Sequence, residues 1–332
     1  MTEQWTEQNE KNIIRRYRYT LIYRIISVGV LLFLVYTFYV LALTVAYDNT
    51  SRGEKLTMHA QLLVDWTYPG ISSDHTIPLG SHISPFLTQS TSIPIYRKIG
   101  KEEINVGEFL VKKPLIIPAV QRDYQFYQQN EQPSFNFYLP FDPETGNALG
   151  ANQQPGVWET LEKVHEGTVA DLAFSTKEYF SPEELFALLD DYDIDVNWMA
   201  LYMGELKAFN TGWQGSSNSV SPFNPWGLTH GRSFNEDYML TSTHYLSPEN
   251  VEEVQVRMLA NMKRLYENDS TFADAIFGNP HFEERIGFLE TEGFKVYGAV
   301  VTGPTKELLR LKELNEIHGE QLGKITFWNW RE

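Results

Sequence analysis

The chain of 332 residues contains no cysteine. That removes thiol nucleophiles, cysteine-ligated metals and a lipidated cysteine anchor, and it leaves the fold without disulfides. A large cysteine-free domain outside the cell fits a Gram-positive bacterial surface better than a eukaryotic secretory route or a periplasm. Basic charge is also scarce: 27 Lys and Arg stand against 43 Asp and Glu, for a formal net charge of −16. An acidic surface of this kind argues against nucleic acid or anionic lipid as a charge-recognised ligand. Catalytic signatures are missing as well. There is no G-x-S-x-G elbow, and Gly319 to Lys324 is too short for a phosphate-binding loop, with Ile325 where Ser or Thr belongs. The eight histidines show neither H-x-x-x-H nor H-E-x-x-H spacing. His75 and His82 with Asp74 could meet in one loop, but isolated histidines are the plainer account. Asp191, Asp193 and Asp195 alternate as in a calcium loop, yet Val196 replaces the turn glycine and Tyr202 the bidentate glutamate. No enzyme activity, cofactor or metal site is expected.

One segment lacks charge altogether. Ile25 to Tyr47 is 23 residues long, and as a helix it spans roughly 30 Å, the thickness of a bilayer's hydrocarbon core. Thr44-Val45-Ala46 offers a signal peptidase small residues, but the apolar run is far longer than a signal sequence needs, so the segment reads as an uncleaved anchor. Lys11, Arg15, Arg16, Arg18 and Arg24 precede it, and Asp48-Asn49-Thr50-Ser51 follows. By the positive-inside rule the N-terminus is cytoplasmic and the chain from Asp48 onward is extracytoplasmic. The stub before the anchor holds five basic and three acidic residues, so the −16 total less its +2 leaves −18 on the ectodomain.

Beyond the anchor, Leu56 to Tyr68 reads as a strand closed by Pro69-Gly70, and Ile93–Ile99 with Glu103–Val111 as a hairpin turning at Gly100-Lys101. Residues 121 to 157, rich in Gln, Asn, Pro and Gly, read as a connector, with a domain boundary near Gly156. From there the pattern sharpens. Gly167–Ser175 is a strand. Ser181-Pro182-Glu183-Glu184 carries a capping box that opens a helix to about Tyr192, and Asp195–Met203 is a second strand. Lys295–Val301, a helix from Gly303-Pro304-Thr305 to about Asn315, and Lys324–Trp330 repeat that strand–helix–strand order. Between the two units a helix from Ser247-Pro248 to about Asn268 buries Val251, Val254, Met258, Met262 and Leu265, and a shorter helix runs from Pro280 to about Glu292. The expected class is α+β: one transmembrane helix, then an ectodomain whose C-terminal part is a ferredoxin-like split βαβ sheet with a helical insertion.

Several strings together resemble the sigma-factor regulator family, membrane proteins typified by anti-sigma factors for extracytoplasmic-function sigma factors. The clearest is Val296-Tyr297-Gly298-Ala299-Val300-Val301-Thr302-Gly303-Pro304-Thr305-Lys306-Glu307, followed by a terminal Trp328-Asn329-Trp330. Glu166-Gly167-Thr168-Val169 and Tyr192-Asp193 through Trp198 match the opening half of the same C-terminal domain. Ile99-Gly100-Lys101, Val106-Gly107 and Lys112-Lys113-Pro114 look like the family's N-terminal ectodomain segment, and the basic stretch from Arg15 to Arg24 like its juxtamembrane helix. The resemblance implies four parts: a cytoplasmic stub (1–24), a transmembrane helix (25–47), a β-rich N-terminal ectodomain region (48–156) and a C-terminal regulator-like domain (157–332). It also implies a sigma factor as partner on the cytoplasmic side, with envelope state as the input.

Only 24 residues precede the apolar run, whereas an anti-sigma factor usually devotes tens of residues to its sigma factor. Three readings follow: the stub binds as an extension of the membrane helix, a membrane partner supplies the sigma-binding part, or the chain is a sensor without that role. The cytoplasmic candidates are Ile13, Ile14, Arg15, Arg16, Tyr17 and Arg18. Two ectodomain features are candidate ligand sites. Thr302, Gly303 and Thr305 lead from a strand into a helix N-terminus, a place for an anion or simply a capped turn. Trp213 and Trp226 sit in a loop rich in Gly, Ser and Asn, either as stacking platforms or folded into the core. A reading from another class is an extracytoplasmic module binding wall polymer or peptide with no sigma factor involved.

Overall fold

In the computed structural model, the described backbone covers residues 7–73, 80–117, 119–128 and 131–330, with side chains from residue 10. His75 and Asp74 lie outside it. The first element, α1 (Glu7–Asp48), is 42 residues long and runs through both the basic stretch and the apolar one without a break. Its most apolar window has a mean hydropathy of 2.4 and buries nothing against the rest of the chain, so α1 is long and apolar enough to cross a membrane. Within it, Thr20 and Thr37 donate their hydroxyls back to the carbonyls of Arg16 and Phe33 at 2.9 and 2.8 Å, so both are satisfied by the helix's own backbone.

Ser51, in the left-handed region at φ 46°, breaks the path, and α2 (Arg52–Thr67) follows as a helix. Here the strand expected over Leu56–Tyr68 is corrected. Helix α2 is buried on nearly every side, so it carries no polar stripe to reveal a 3.6-residue period, and Leu62-Leu63-Val64 looks like a strand core. The chain then forms a five-stranded antiparallel sheet from β1 (Ser72–Ser73), β2 (His82–Ile83), β3 (Thr88–Ile99), β4 (Glu102–Pro114) and β5 (Gln121–Phe126). Its order is β1-β3-β4-β5, with β2 also on β3. The expected hairpin at Gly100-Lys101 is present, and β3 pairs with β4 from Thr88↔Pro114 to Ile99↔Glu102, interrupted by one bulge at Ile95/Tyr96.

Strand β3 alternates strictly, burying Gln89, Thr91, Ile93, Ile95, Arg97 and Ile99. That one face does three jobs in succession. Gln89 accepts from Tyr47 at the end of α1 (3.4 Å), Thr91 meets Thr57 of α2 (3.2 Å), and Arg97 and Ile99 reach the C-terminal half. At about 3.4 Å per residue the strand covers roughly 37 Å.

After the short α3 (Val157–Lys163), β6 (Thr168–Phe180), α4 (Pro182–Leu189) and β7 (Asp195–Tyr202) form the first strand–helix–strand unit. The Ser181 capping box closes as expected: its hydroxyl accepts from Glu184 N at 3.1 Å, and the Glu184 carboxylate accepts from Ser181 N at 2.7 Å. The insertion adds β8 (Trp213–Ser216), β9 (Ser219–Pro222), β10 (Trp226–Leu228), β11 (Gly231–Phe234), β12 (Leu240–His244), α5 (Val251–Phe277) and α6 (Phe282–Glu292). The second unit is β13 (Lys295–Pro304), α7 (Thr305–Arg310) and β14 (Ile317–Phe327). The last strand thus begins seven residues before the expected Lys324, because His318-Gly319-Glu320 reads as a polar turn but pairs through a bulged register.

The five strands lie in the order β10-β7-β13-β6-β14, every neighbour antiparallel. Helices α4 and α7 both pack on β6 and β13, where Leu185, Leu189, Leu308 and Leu311 join Ala170, Leu172 and Phe174 in the core. The opposite face carries Ala173, Trp198, Ala200 and Val300 under Phe137 and Leu139. Trp198 also lies flat beside Gly227, where any Cβ would collide with the indole, and it donates to the Asp65 carbonyl of α2 at 3.1 Å. This second face receives the tip of the β3–β4 hairpin.

Candidate functional site

The hairpin turn needs a residue in the left-handed region, and Gly100 provides it at φ 66°. Its N–H donates to Thr302 Oγ1 at 2.6 Å, and that hydroxyl donates onward to the Ala170 carbonyl at 2.8 Å. Asn329 brackets the turn from the other side. Its amide donates to the Ile99 carbonyl at 2.8 Å, and its oxygen accepts from Lys101 N at 3.2 Å. A Cβ at Gly100 would strike that oxygen, so the glycine is required by contact as well as by φ. Ile99 is enclosed by Val169 and Trp330. The Trp330 indole donates to Asp193 at 2.7 Å and carries the Lys101 ammonium 4.0 Å over its ring.

Charge fixes the sides of this seam. Lys98 and Lys101 meet Asp195 at 2.8 and 3.0 Å, and Asn197 donates to the Lys98 carbonyl at 3.1 Å. Burial alone would push the Asp195 carboxyl up, but the two ammonium groups win and hold it below the usual carboxylate range. Deeper in, Arg97 grips Asp171 with Nε at 2.9 Å and Nη2 at 3.0 Å, while Nη1 donates to the Glu131 carbonyl at 3.1 Å. Lys324 N closes the second lone pair of Asp171 at 2.6 Å, and the Lys324 ammonium pairs with the Glu131 carboxylate. Burial pushes the Asp171 carboxyl up against the pull of Arg97. With both partners almost wholly buried, this bidentate pair holds the seam only while both members are present.

A cleft of about 620 Å³ borders Arg97, Asn136, Gln321 and Lys324, and across the Pro133–Asn136 segment a second of about 530 Å³ borders Tyr68, Tyr124, Phe223 and Trp226. The seam therefore has open space beside it.

The structure distributes the sequence-predicted residues as follows. Thr302, Gly303 and Thr305 lie in the seam or just behind it. Thr302 is the acceptor for the hairpin turn, Gly303 sits tight against Ile194, and the Thr305 hydroxyl lies 3.0 Å from that of Thr168. Trp213 is exposed on β8. Trp226 is buried against Trp66, Phe277 and Phe282, with the Arg285 guanidinium 4.6 Å over its ring. Ile13, Ile14, Arg15, Arg16, Tyr17 and Arg18 are exposed together on α1. Sequence reasoning missed Arg97, Asp171 and Lys98, and met Asp195 only within the calcium-like alternation, not as the partner of Lys98 and Lys101. A signal for Arg97 was present: it shares the alternation phase of Ile93, Ile95 and Ile99, so a charge was due to point inward.

The strings that carried the resemblance thus converge in space. Ile99-Gly100-Lys101 meets Thr302 of the β13 string and Asn329-Trp330 of the terminal one, across more than two hundred intervening residues. Comparison with known proteins agrees. The sigma factor regulator N-terminal family matches residues 11–104, and the sigma factor regulator C-terminal family matches residues 161–324. The chain belongs to the sigma-factor regulator family. Among characterised proteins it resembles the "Probable anti-sigma-M factor YhdL" of Bacillus subtilis (strain 168), at 24% identity over 288 residues, covering 84% of this chain and 71% of that one. No solved structure matches the chain.

Proposed function

We propose that the chain is a single-pass anti-sigma factor whose α1 holds a sigma factor at its cytoplasmic end, and whose residues beyond Asp48 form an extracytoplasmic sensor. The family membership and the relative's name support the activity. The basic residues before the apolar run and the acidic chain after it support the orientation. The observation that carries the reading is the continuity of α1 from Glu7 to Asp48. A free peptide as short as the stub would barely be helical in water, because nucleation is the unfavourable step. As an extension of the anchor it needs only propagation, so Ile13, Ile14 and Tyr17 form a ready apolar stripe flanked by Arg15, Arg16 and Arg18. An amphipathic helix of this kind suits a hydrophobic groove with an acidic rim.

In the same reading the C-terminal sheet is ferredoxin-like, supported by the strand order β14-β6-β13-β7 and by two helices sharing one face. The seam is where a signal from outside changes the contacts between the two halves.

The test is affinity purification of the tagged full chain from membranes in mild detergent, beside a form lacking residues 1–24 and an Ile14→Ser/Tyr17→Ser variant that keeps helix and charge. A sigma factor recovered with the intact chain and lost from both variants is the expected result. Equal recovery of another membrane protein from all three, with no sigma factor, overturns the proposal.

A further inference from the structure

The base of the β3–β4 hairpin, at the end opposite Gly100, has an unusual surface. Pro85 and Phe86 form the corners of a turn closed by Leu87 N donating to the Ser84 carbonyl at 3.0 Å. Phe86 is 88% exposed at its apex. Alongside, Leu115 N donates to the Leu87 carbonyl at 2.9 Å, and the next two residues, Ile116 and Ile117, are 78% and 59% exposed. Three large apolar side chains in one patch, left bare by the described residues, need an occupant.

Helix α1 says what the occupant is. Tyr39, inside the apolar run, donates its hydroxyl to the Pro85 carbonyl at 2.8 Å. Tyr47, two turns nearer the ectodomain, contacts Ser81 at 2.9 Å and Gln89 at 3.4 Å. The hairpin base therefore runs back alongside α1 toward the membrane centre over a separation of eight residues, roughly 12 Å. Wherever the bilayer surface falls between Asp48 and Tyr39, Phe86 lies at or below it.

We infer that the hairpin base inserts into the bilayer beside α1, with Phe86, Ile116 and Ile117 in the headgroup–acyl boundary of the leaflet facing the ectodomain. The depth matches that of amphipathic segments lying in a membrane interface. In the Ser84–Leu87 turn the Pro85 carbonyl is capped by Tyr39, the Ser84 carbonyl accepts from Leu87 N, the Leu87 carbonyl accepts from Leu115 N, and proline contributes no N–H to satisfy. The ectodomain's negative charge does not oppose this, since the contact is apolar and needs no anionic lipid. The inference rests on α1 spanning the membrane, and it adds that the ectodomain has a second foothold.

The absence of cysteine makes the test clean. Single variants Phe86→Cys, Ile116→Cys, Val35→Cys and Glu144→Cys of the full chain are labelled with a polarity-sensitive fluorophore and reconstituted into phosphatidylcholine vesicles. All four positions are exposed to the chain's surroundings, so the labels displace no packing. Nitroxide lipids with the quencher near the headgroup are expected to quench the Phe86 and Ile116 labels roughly threefold more than the Glu144 label, with iodide doing the reverse. Lipids quenched deep in the acyl chain are expected to reach Val35. If Val35 is quenched by lipid while Phe86 and Ile116 respond only to iodide, the insertion is overturned and the span survives. If Val35 also responds only to iodide, the spanning reading itself fails and the insertion with it.

Discussion

The two ends of the β3–β4 hairpin are built from opposite materials. At the tip, Gly100 and its neighbours are locked by hydrogen bonds to Thr302 and Asn329 and by charge pairs to Asp171 and Asp195, on another sheet or the segment that follows its last strand. At the base, Phe86, Ile116 and Ile117 present bare apolar surface, with Tyr39 as the polar tether. A directional polar joint sets a specific register, whereas an apolar foot in lipid can slide laterally and change depth without breaking any one bond. The strand between them is a stiff ladder backed by α2. In the proposed reading the two ends have separate roles: the tip is where state is read, and the base is where position is sensed.

The sharpest way to break the tip is Arg97→Met. It strands Asp171 as an unpaired buried carboxylate and should cost about 3–5 kcal/mol in urea unfolding of the detergent-solubilised chain. The double variant Arg97→Met/Asp171→Leu should recover most of that loss, and failure to do so would mean that the pair matters by more than its charge.

The next effect tests the core behind the base. His59 of α2 is fully buried, its Nδ1 on the Lys55 carbonyl at 2.7 Å and its ring edge-on to Phe272. Lys55, Lys113, Arg264, Tyr238 and Asp269, where α5 kinks, surround the site; Tyr238 donates to Asp269 at 3.3 Å, and the His59 Nε2 lies 3.9 Å from the other Asp269 oxygen. Burial lowers the imidazole from 6.5 to about 4. The folded state therefore refuses a proton that the unfolded chain accepts, so stability is complete above pH 6.5 and falls as pH drops toward 4. The loss should be on the order of 3 kcal/mol at its limit. Melting temperature against pH should flatten through this window in His59→Gln, and an unchanged slope would remove His59 as its source.

Gly100→Ala should cost about 2 kcal/mol through its left-handed backbone and its collision with Asn329. It should also speed proteolysis at the seam, whereas Phe86→Ala should leave the melting temperature within error.

The smallest effect is at the seam's rim. Asp195→Asn removes a pair that solvent partly screens, for about 1 kcal/mol or less, and added salt should narrow the gap to wild type. Because its folded carboxyl titrates below 3.8, Asp195 contributes above that pH and loses its contribution only as pH falls further.

Legibility in the sequence followed the same divide between local and distant causes. The hairpin, the Ser181 capping box and both strand–helix–strand units were readable because alternation, caps and turn glycines are local signals. Helix α2 was not, since a helix buried all round has no period to display. The short strands β8 to β12 were hidden among Gly, Ser and Asn, whose pairing is decided by neighbours rather than propensity. At the candidate site, Gly100, Thr302 and Asn329 lay in recognisable strings. Arg97 and Asp171 are 74 residues apart, and only the fold shows that each completes the other.

One further consequence follows from the unbroken α1. An α-helix turns about 100° per residue, so a continuous one couples the chain beyond Asp48 to the azimuth of Ile14 and Tyr17 as a shaft couples two gears. Its output is a phase. Inserting one alanine between Arg24 and the apolar run would swing the stripe of Ile14 and Tyr17, proposed above to hold the sigma factor, about 100° out of line, and seven would return it to within about 20°. Control by this protein should then rise and fall with insertion length, with the period of the helix itself.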